Sequence, residues 1–255
     1  APIESFNNRV GAPISILRAD LTTEFLVVEM GAEGIGSIAY LAKMARPDVA
    51  VILKVGMAHA GEFGGIETTA KIKGELAEAV SEGSALVLNA DDAMVVAMKD
   101  RTKATVHWFG TSAEAQYWAS DISLSKIGTS FVLHWPDGEQ SDIQLAILGE
   151  HHIMNALAAA AVSSLLGATK SQIVGALEAM ELAERWRMQR FVRPDGVTVI
   201  NDSYNASPDS MKAALQTLAQ LGRMGSRTIA VLGEMAELGE YSRTEHDSIG
   251  RLCLL

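Results

Sequence analysis

The sequence predicts an α/β fold, a mostly parallel sheet with an antiparallel meander added and a smaller α/β unit following it. Three observations carry this expectation. Short runs rich in Val, Ile and Leu, VAVILKV at 49–55 and ALVLN at 85–89, alternate with helix-length amphipathic segments, the pattern of buried parallel strands joined by crossover helices. The runs end in glycine or aspartate turns that open into helices. Residues 119–148 then change to polar–apolar alternation, with turns at 126–128 and 136–138, as antiparallel strands require.

Taken in order, Asn7-Asn8 with Gly11 and Pro13 marks a structured turn, and a short helix follows Pro13. FLVVEM at 25–30 reads as the first strand, and GAEGIGS leads from it to a helix near 38–45. The strand at 49–55 runs into a loop with His59, Gly61, Gly64 and Gly65, then a helix from about 67 to 82 carrying Lys71 and Lys73. After the strand at 85–89, Asp91 and Asp92 cap a helix through Met98, and 105–109 closes the alternating section. Beyond the meander lie the Ala-rich helix of GEHHIMNALAAAA and a second helix after Lys170-Ser171. Past Trp186 and Arg187 the α/β rhythm restarts, with strands at 196–201 and 228–232 around a helix ending near Leu221. The division falls near residue 190, giving units 1–190 and 191–255. The second has too few strands for a sheet that stands alone, so it is expected to be incomplete.

Of 255 residues, 48% are apolar and 20% charged, ordinary for a globular chain, and the formal net charge is −10. That acidity argues against a nucleic-acid surface and against docking on anionic membranes. No run approaches the roughly 20 apolar residues of a membrane span, and no basic-then-apolar leader is present. The single cysteine, Cys253, permits no internal disulfide, which fits a reducing, cytoplasmic setting. A monomer is expected. The opening APIESFNN without Met and the close on RLCLL, read as mid-helix, have the look of cut ends.

The stretch 54–76 is the candidate site. Open α/β sheets bind ligands at the carboxyl ends of their strands, where Glu29, His59 and a lysine of the following helix are expected to converge. Glu29 interrupts an apolar run, and a buried carboxylate needs a partner or a metal. A histidine after a strand is more often a satisfied polar group, and lysines on an amphipathic helix are usually solvated.

FNNRVGAP, VVEMGA, VGMAHAGEFG, AKIKGEL, LNADD, GEHHIMNALAAAA, RWRMQ, NDSYNASPDSM and VLGEMAELGE, in this order and spacing, resemble the Mur ligase family almost end to end. NDSYNA and GEMAELG favour its dipeptide-adding member over its siblings and over the related folylpolyglutamate synthetases. The resemblance implies an ATPase-type central domain in 1–190 and a truncated Rossmann-like C-terminal domain in 191–255. It implies an ATP-dependent amide ligase of peptidoglycan precursor synthesis, joining D-alanyl-D-alanine to UDP-MurNAc-tripeptide through an acyl phosphate. An anionic nucleophile must then meet an anionic γ-phosphate, so Mg²⁺, at two sites, and positive groups are needed.

By matching positions, the resemblance makes Glu29 a magnesium ligand and His59 the histidine of a second magnesium site. Lys73 is expected to be carbamylated, which turns an amine into an oxygen ligand suited to hard Mg²⁺; Lys71 is the neighbouring competitor. His151 and Asn155 match nucleotide-side positions, Arg187 an arginine that reaches the γ-phosphate, and Asp202 an acid near the ribose, with Tyr204 and Asn205 beside it. Asn7 or Asn8 approaches the UDP-sugar substrate or the reacting carboxylate. Without the resemblance, Arg187 reads as a surface ion pair and Asp202 as a turn cap. Glu33, Lys54, His152 and Ser207 depart from the usual pattern. The family's phosphate-binding loop and uridine-nucleotide domain are missing from this sequence, so the chain alone is expected not to catalyse the full reaction. A non-catalytic, binding-only remnant is the alternative from another class.

Overall fold

The computed structural model describes residues 1–2, 6–57, 60–180 and 185–254. Helices α1 (Gly11–Leu17) and α2 (Ser37–Ala45) precede β1 (Val49–Ile52). Then come α3 (Ala60–Phe63), α4 (Ile66–Ala79), β2 (Ala85–Asn89), α5 (Ala93–Val96) with a 3₁₀ turn at Ala97–Arg101, and β3 (Thr105–Gly110). Strands β4 (Tyr117–Leu124), β5 (Thr129–His134) and β6 (Gln140–Leu145) lead to α6 (His151–Leu165) and α7 (Lys170–Glu178). The remainder is β7 (Gln189–Val192), β8 (Thr198–Asn201), α8 (Pro208–Arg223), a 3₁₀ turn at Gly239–Tyr241 and α9 (Ser242–Leu252).

One six-stranded sheet runs β1-β2-β3-β4-β5-β6. β1 to β4 pair in parallel, and β4-β5-β6 pair antiparallel. Both faces of the parallel part are covered, which is why its strands are apolar throughout rather than alternating. Ala50, Ile52, Leu86 and Leu88 face Ala77, Val95 and Met98 on one side. Val49, Val51, Val87 and Phe109 face Ala156, Leu157, Ala160 and Ala161 of α6 on the other. The alanines let α6 lie close beneath β2, β3 and β4. A small satellite core of Met235, Leu238 and Ile249 joins α8 and α9.

The meander lies where the sequence places it. Other elements differ. Phe25–Met30 is not a strand: no described strand lies beside it, and Phe25 and Val27 are 59% and 61% exposed. Without a neighbour to take its N–H and C=O groups, an apolar run has no ladder to join. Thr228–Leu232 fails likewise, with Val231 94% exposed. Strand β8 begins at Thr198 and pairs antiparallel with β7, a strand the sequence pattern does not flag. β1 ends at Ile52 rather than 55 because side chains from elsewhere capture the next residues, and α4 ends at Ala79 where Val80 turns extended. The final helix closes at Leu252, with the Cys253 N–H returning to the Ile249 carbonyl.

Candidate active site

The carboxyl end of β1 is held by the end of β2. Asn89, the last residue of β2, donates to the Leu53 carbonyl at 2.8 Å. Asp92 accepts the Val55 N–H at 2.8 Å with one oxygen. Its other oxygen caps α5 through the Met94 and Val95 N–H groups at 2.9 and 3.1 Å. Between these anchors the Lys54 carbonyl faces α4 and accepts Lys73 Nζ at 2.7 Å. Burial holds the Lys73 amine below the usual lysine range; Asp92 and Asp209 oppose this, and the Lys54 charge adds to it. Lys71, two residues earlier, is exposed.

Helix α4 is itself fixed by Arg101, which pairs with Glu78 at 2.9 Å and donates to the Lys71 carbonyl at 3.1 Å. The guanidinium passes over Gly74, where an added Cβ would sit 1.8 Å from Nη1. Glu75 is 8% exposed and accepts the Gly36 and Ala39 N–H groups at 2.6 and 3.0 Å. A buried carboxylate thus caps α2, satisfying donors that a helix start leaves open.

Glu29 is exposed, not buried as its apolar surroundings predict, because the segment carrying it joins no sheet. Asn7 donates to one of its oxygens at 2.7 Å, and the Asn7 carbonyl accepts the Gly31 N–H at 2.7 Å. Asn8 is used locally: its amide oxygen accepts the Val10 and Gly11 N–H groups at 3.0 and 2.8 Å at the start of α1. His59 lies outside the described residues. Among the described residues, no group of three or more His, Cys, Asp or Glu is placed to hold a metal ion.

A second constellation forms where α6 begins. Arg187 stands between two left-handed residues, Trp186 at φ 63° and Met188 at φ 48°. Such conformations cost non-glycine residues about 1–2 kcal/mol each. They are held by Met188, which is buried and donates its N–H to Asp202 at 3.0 Å, and by the Tyr204 N–H on the Trp186 carbonyl at 3.2 Å. The Arg187 guanidinium lies 4.2 Å from the centre of the Tyr204 ring. Burial raises the Asp202 carboxyl above its ordinary range, against the Met188 N–H and the charges of His151 and Arg187. Burial lowers His151, with Asp202 opposing. His152 is pushed down to about 4 by burial and by His151, whose ring is 4.2 Å away. The His152 Nε2 is buried without a hydrogen-bond partner. Asn155, one turn along α6, and Asn205 are exposed. A cleft of about 440 Å³ lies between α6 and α8, lined by Glu150, His151, Gln216, Gln220 and Arg223.

The structure therefore brings Arg187, Tyr204, Asp202 and His151 together, and places Lys73 at the end of β1. Asp209 was missed. In sequence it is a helix-start acid after Ser-Pro, and only contacts across 155 and 152 positions, to Lys54 and to the Met57 N–H, give it another role. Other departures also acquire partners: Glu33 pairs with Arg9 at 3.8 Å, and Ser207 caps α8 reciprocally with Ser210.

Residues 2–163 match the Mur ligase middle domain, and residues 186–253 match the Mur ligase glutamate ligase domain. The chain belongs to the Mur ligase family. The whole of this Mur ligase chain is 47% identical, over 258 aligned residues, to half of the UDP-N-acetylmuramoyl-tripeptide–D-alanyl-D-alanine ligase of Mycobacterium tuberculosis. All of it superposes on 55% of a crystal structure of MurF from Acinetobacter baumannii, with a TM-score of 0.92 and 32% identity. A MurF from Thermotoga maritima in complex with ADP matches 98% of the chain over 57% of its own length, with a TM-score of 0.86 and 28% identity. The chain spans about half the length of the relatives it matches. No helix among the described residues is long and apolar enough to cross a membrane.

Proposed function

We propose that this Mur ligase chain carries the nucleotide-side machinery of an ATP-dependent ligase that joins D-alanyl-D-alanine to UDP-MurNAc-tripeptide. In that reaction a peptide carboxylate oxygen attacks the γ-phosphorus and ADP leaves. The dipeptide amine then attacks the acyl carbon, phosphate departs, and the amine nitrogen loses a proton. The division near residue 190 belongs to the same proposal, with 1–190 the ATP-binding central domain and 191–255 the C-terminal domain.

The observation that carries the reading is Lys73: a desolvated amine at the carboxyl end of a parallel strand, where open α/β sheets place ligands. A neutral amine attacks CO₂ to form an N–C bond and, on losing one proton, becomes a carbamate with two oxygens. That chemistry suits Mg²⁺, which takes oxygen ligands and is commonly held by one or two carboxylates with waters and substrate phosphates. In this reading Glu29, oriented by Asn7, and carbamylated Lys73 hold magnesium, with His59 at a second site. Magnesium supplies charge neutralisation beside the phosphates. Arg187 reaches the transferring phosphate, kept in place by the Tyr204 ring and by its strained neighbours. Asp202, Tyr204, Asn205, His151 and Asn155 line the nucleotide side, and Asn7 or Asn8 meets the sugar substrate.

Incubation with ¹³C-bicarbonate is expected to give one carbamate carbon resonance, absent from Lys73→Ala. In the gene product that carries this chain, Lys73→Ala should lower ligation about 100-fold or more, with partial recovery in bicarbonate or halide. A fully active Lys73→Ala enzyme indifferent to anions would overturn the assignment.

A further inference from the structure

Lys54 faces two ways. Its carbonyl accepts the Lys73 amine at 2.7 Å, while its side chain reaches into the second unit and meets Asp209 Oδ1 at 2.6 Å. The other carboxylate oxygen accepts the Met57 N–H at 3.1 Å. Between those two points lies Gly56, where an added Cβ would stand 2.8 Å from Asp209 Oδ2. The carboxylate therefore closes over a strand-end loop whose middle residue has no side chain to obstruct it.

Asp209 is itself held. Ser207 and Ser210 form a reciprocal cap, Pro208 is buried in the first turn of α8, and Asp209 follows in that turn. There the helix dipole favours a negative charge. The approach of the two units is also close at a second place. Gly61 of α3 lies against the backbone of Leu238 and Gly239, at 2.3 and 2.5 Å from an added Cβ. Across the cleft, Gln220 of α8 donates to Glu150 at 2.8 Å.

We propose that Asp209 is a positioning residue: with Lys54 it forms an ionic latch that joins α8 to the loop after β1 and sets the Lys54 carbonyl beneath the Lys73 amine. Approach of the second unit is thereby coupled to the geometry of Lys73. The functional meaning rests on the reading of Lys73 given above; the latch itself does not. Isolated exposed ion pairs shift populations by no more than about fivefold. Here the carboxylate also takes a backbone N–H and sits on a helix start, so removing its charge is expected to lower the latched fraction roughly tenfold.

The test is a double-mutant cycle read as a distance in the 255-residue chain. Nitroxide labels at Cys253, which is exposed, and at an exposed position introduced by Lys99→Cys report the separation of the units by pulsed electron resonance. A single narrow distribution is expected for the parent. Lys54→Asn and Asp209→Asn should each broaden and lengthen it, the double variant no more than either alone. High salt should broaden the parent while leaving the single variants unchanged. Circular dichroism separates loss of the latch from loss of fold, and Lys54→Asn leaves α8 and its cap intact if Asp209 variants unfold. A distance unchanged in Lys54→Asn, or additive effects in the double variant, would overturn the latch. A latched distance with no ¹³C carbamate at Lys73 would uphold the latch and overturn the Lys73 reading instead.

Discussion

At the scale of single residues, His152 ties stability to pH. Its imidazole is buried against His151 and titrates at about 4 in the folded chain, against an ordinary 6.5. The unfolded chain therefore takes up the proton first. The contribution is whole above pH 6.5, falls as pH drops from 6.5 towards 4, and is constant below that. The full gap corresponds to about 3 kcal/mol, and partial solvent access reduces it to about 1–2 kcal/mol. Urea unfolding at about pH 7.5, 5.5 and 4 should show this loss, and His152→Asn should lessen it, with His151 and His107, also lowered by burial, keeping a share. An equally steep fall in the variant would place the titration elsewhere. Single residues were unevenly legible in sequence. Lys73 differs from Lys71 by exposure and by the carbonyl it meets, neither of which helical spacing reports. Glu29 looked buried because its neighbours are Val and Met, yet burial depends on whether a strand packs beside the segment, and none of the described residues supplies one.

At the scale of elements, those with their own local chemistry were readable. Asp92 caps α5, Thr169 and Gln172 box the start of α7, and the turns of the meander fix its register. Phe25–Met30 and Thr228–Leu232 misled, since strand composition states a preference for a pleated, half-buried surface and not that one exists. Hairpin β7-β8 was read only in part because the two strands pair only with each other and β7 is mostly exposed. Glycine spacing pointed to the loop after β1 but not to its use: Gly61 carries no ligand role in the geometry and instead admits the 3₁₀ turn at Gly239–Tyr241. Gly61→Ala should therefore force α3 from that turn, costing about 1–3 kcal/mol and lengthening the distance between labels at Cys253 and Lys99→Cys. Gly64→Ala, with open space around its added Cβ but a φ of 80°, should strain its own loop without moving the units apart. Equal displacement by both would refute the contact.

At the scale of the whole molecule, contacts between the two units include Asp209 on the loop after β1, Gly61 on Leu238–Gly239, and Gln220 on Glu150. Lys73 lies before residue 190, whereas Asp202, Tyr204 and Asp209 come from beyond it, so the function proposed above predicts that the site is complete only when the two units approach. Motif order in the sequence suggests contributions from both units, but the particular contacts are not legible there, because charges 155 residues apart have no signature in sequence. In the proposed reaction, the net charge of −10 would leave a polyanionic substrate dependent on local cations and magnesium. The most direct measurement is ADP release by the gene product carrying this chain, with UDP-MurNAc-tripeptide and a panel of amine acceptors. Release dependent on magnesium and on D-alanyl-D-alanine, and not on single amino acids, is the predicted result. Release driven by a single amino acid or by glutamate, with none for the dipeptide, would contradict it.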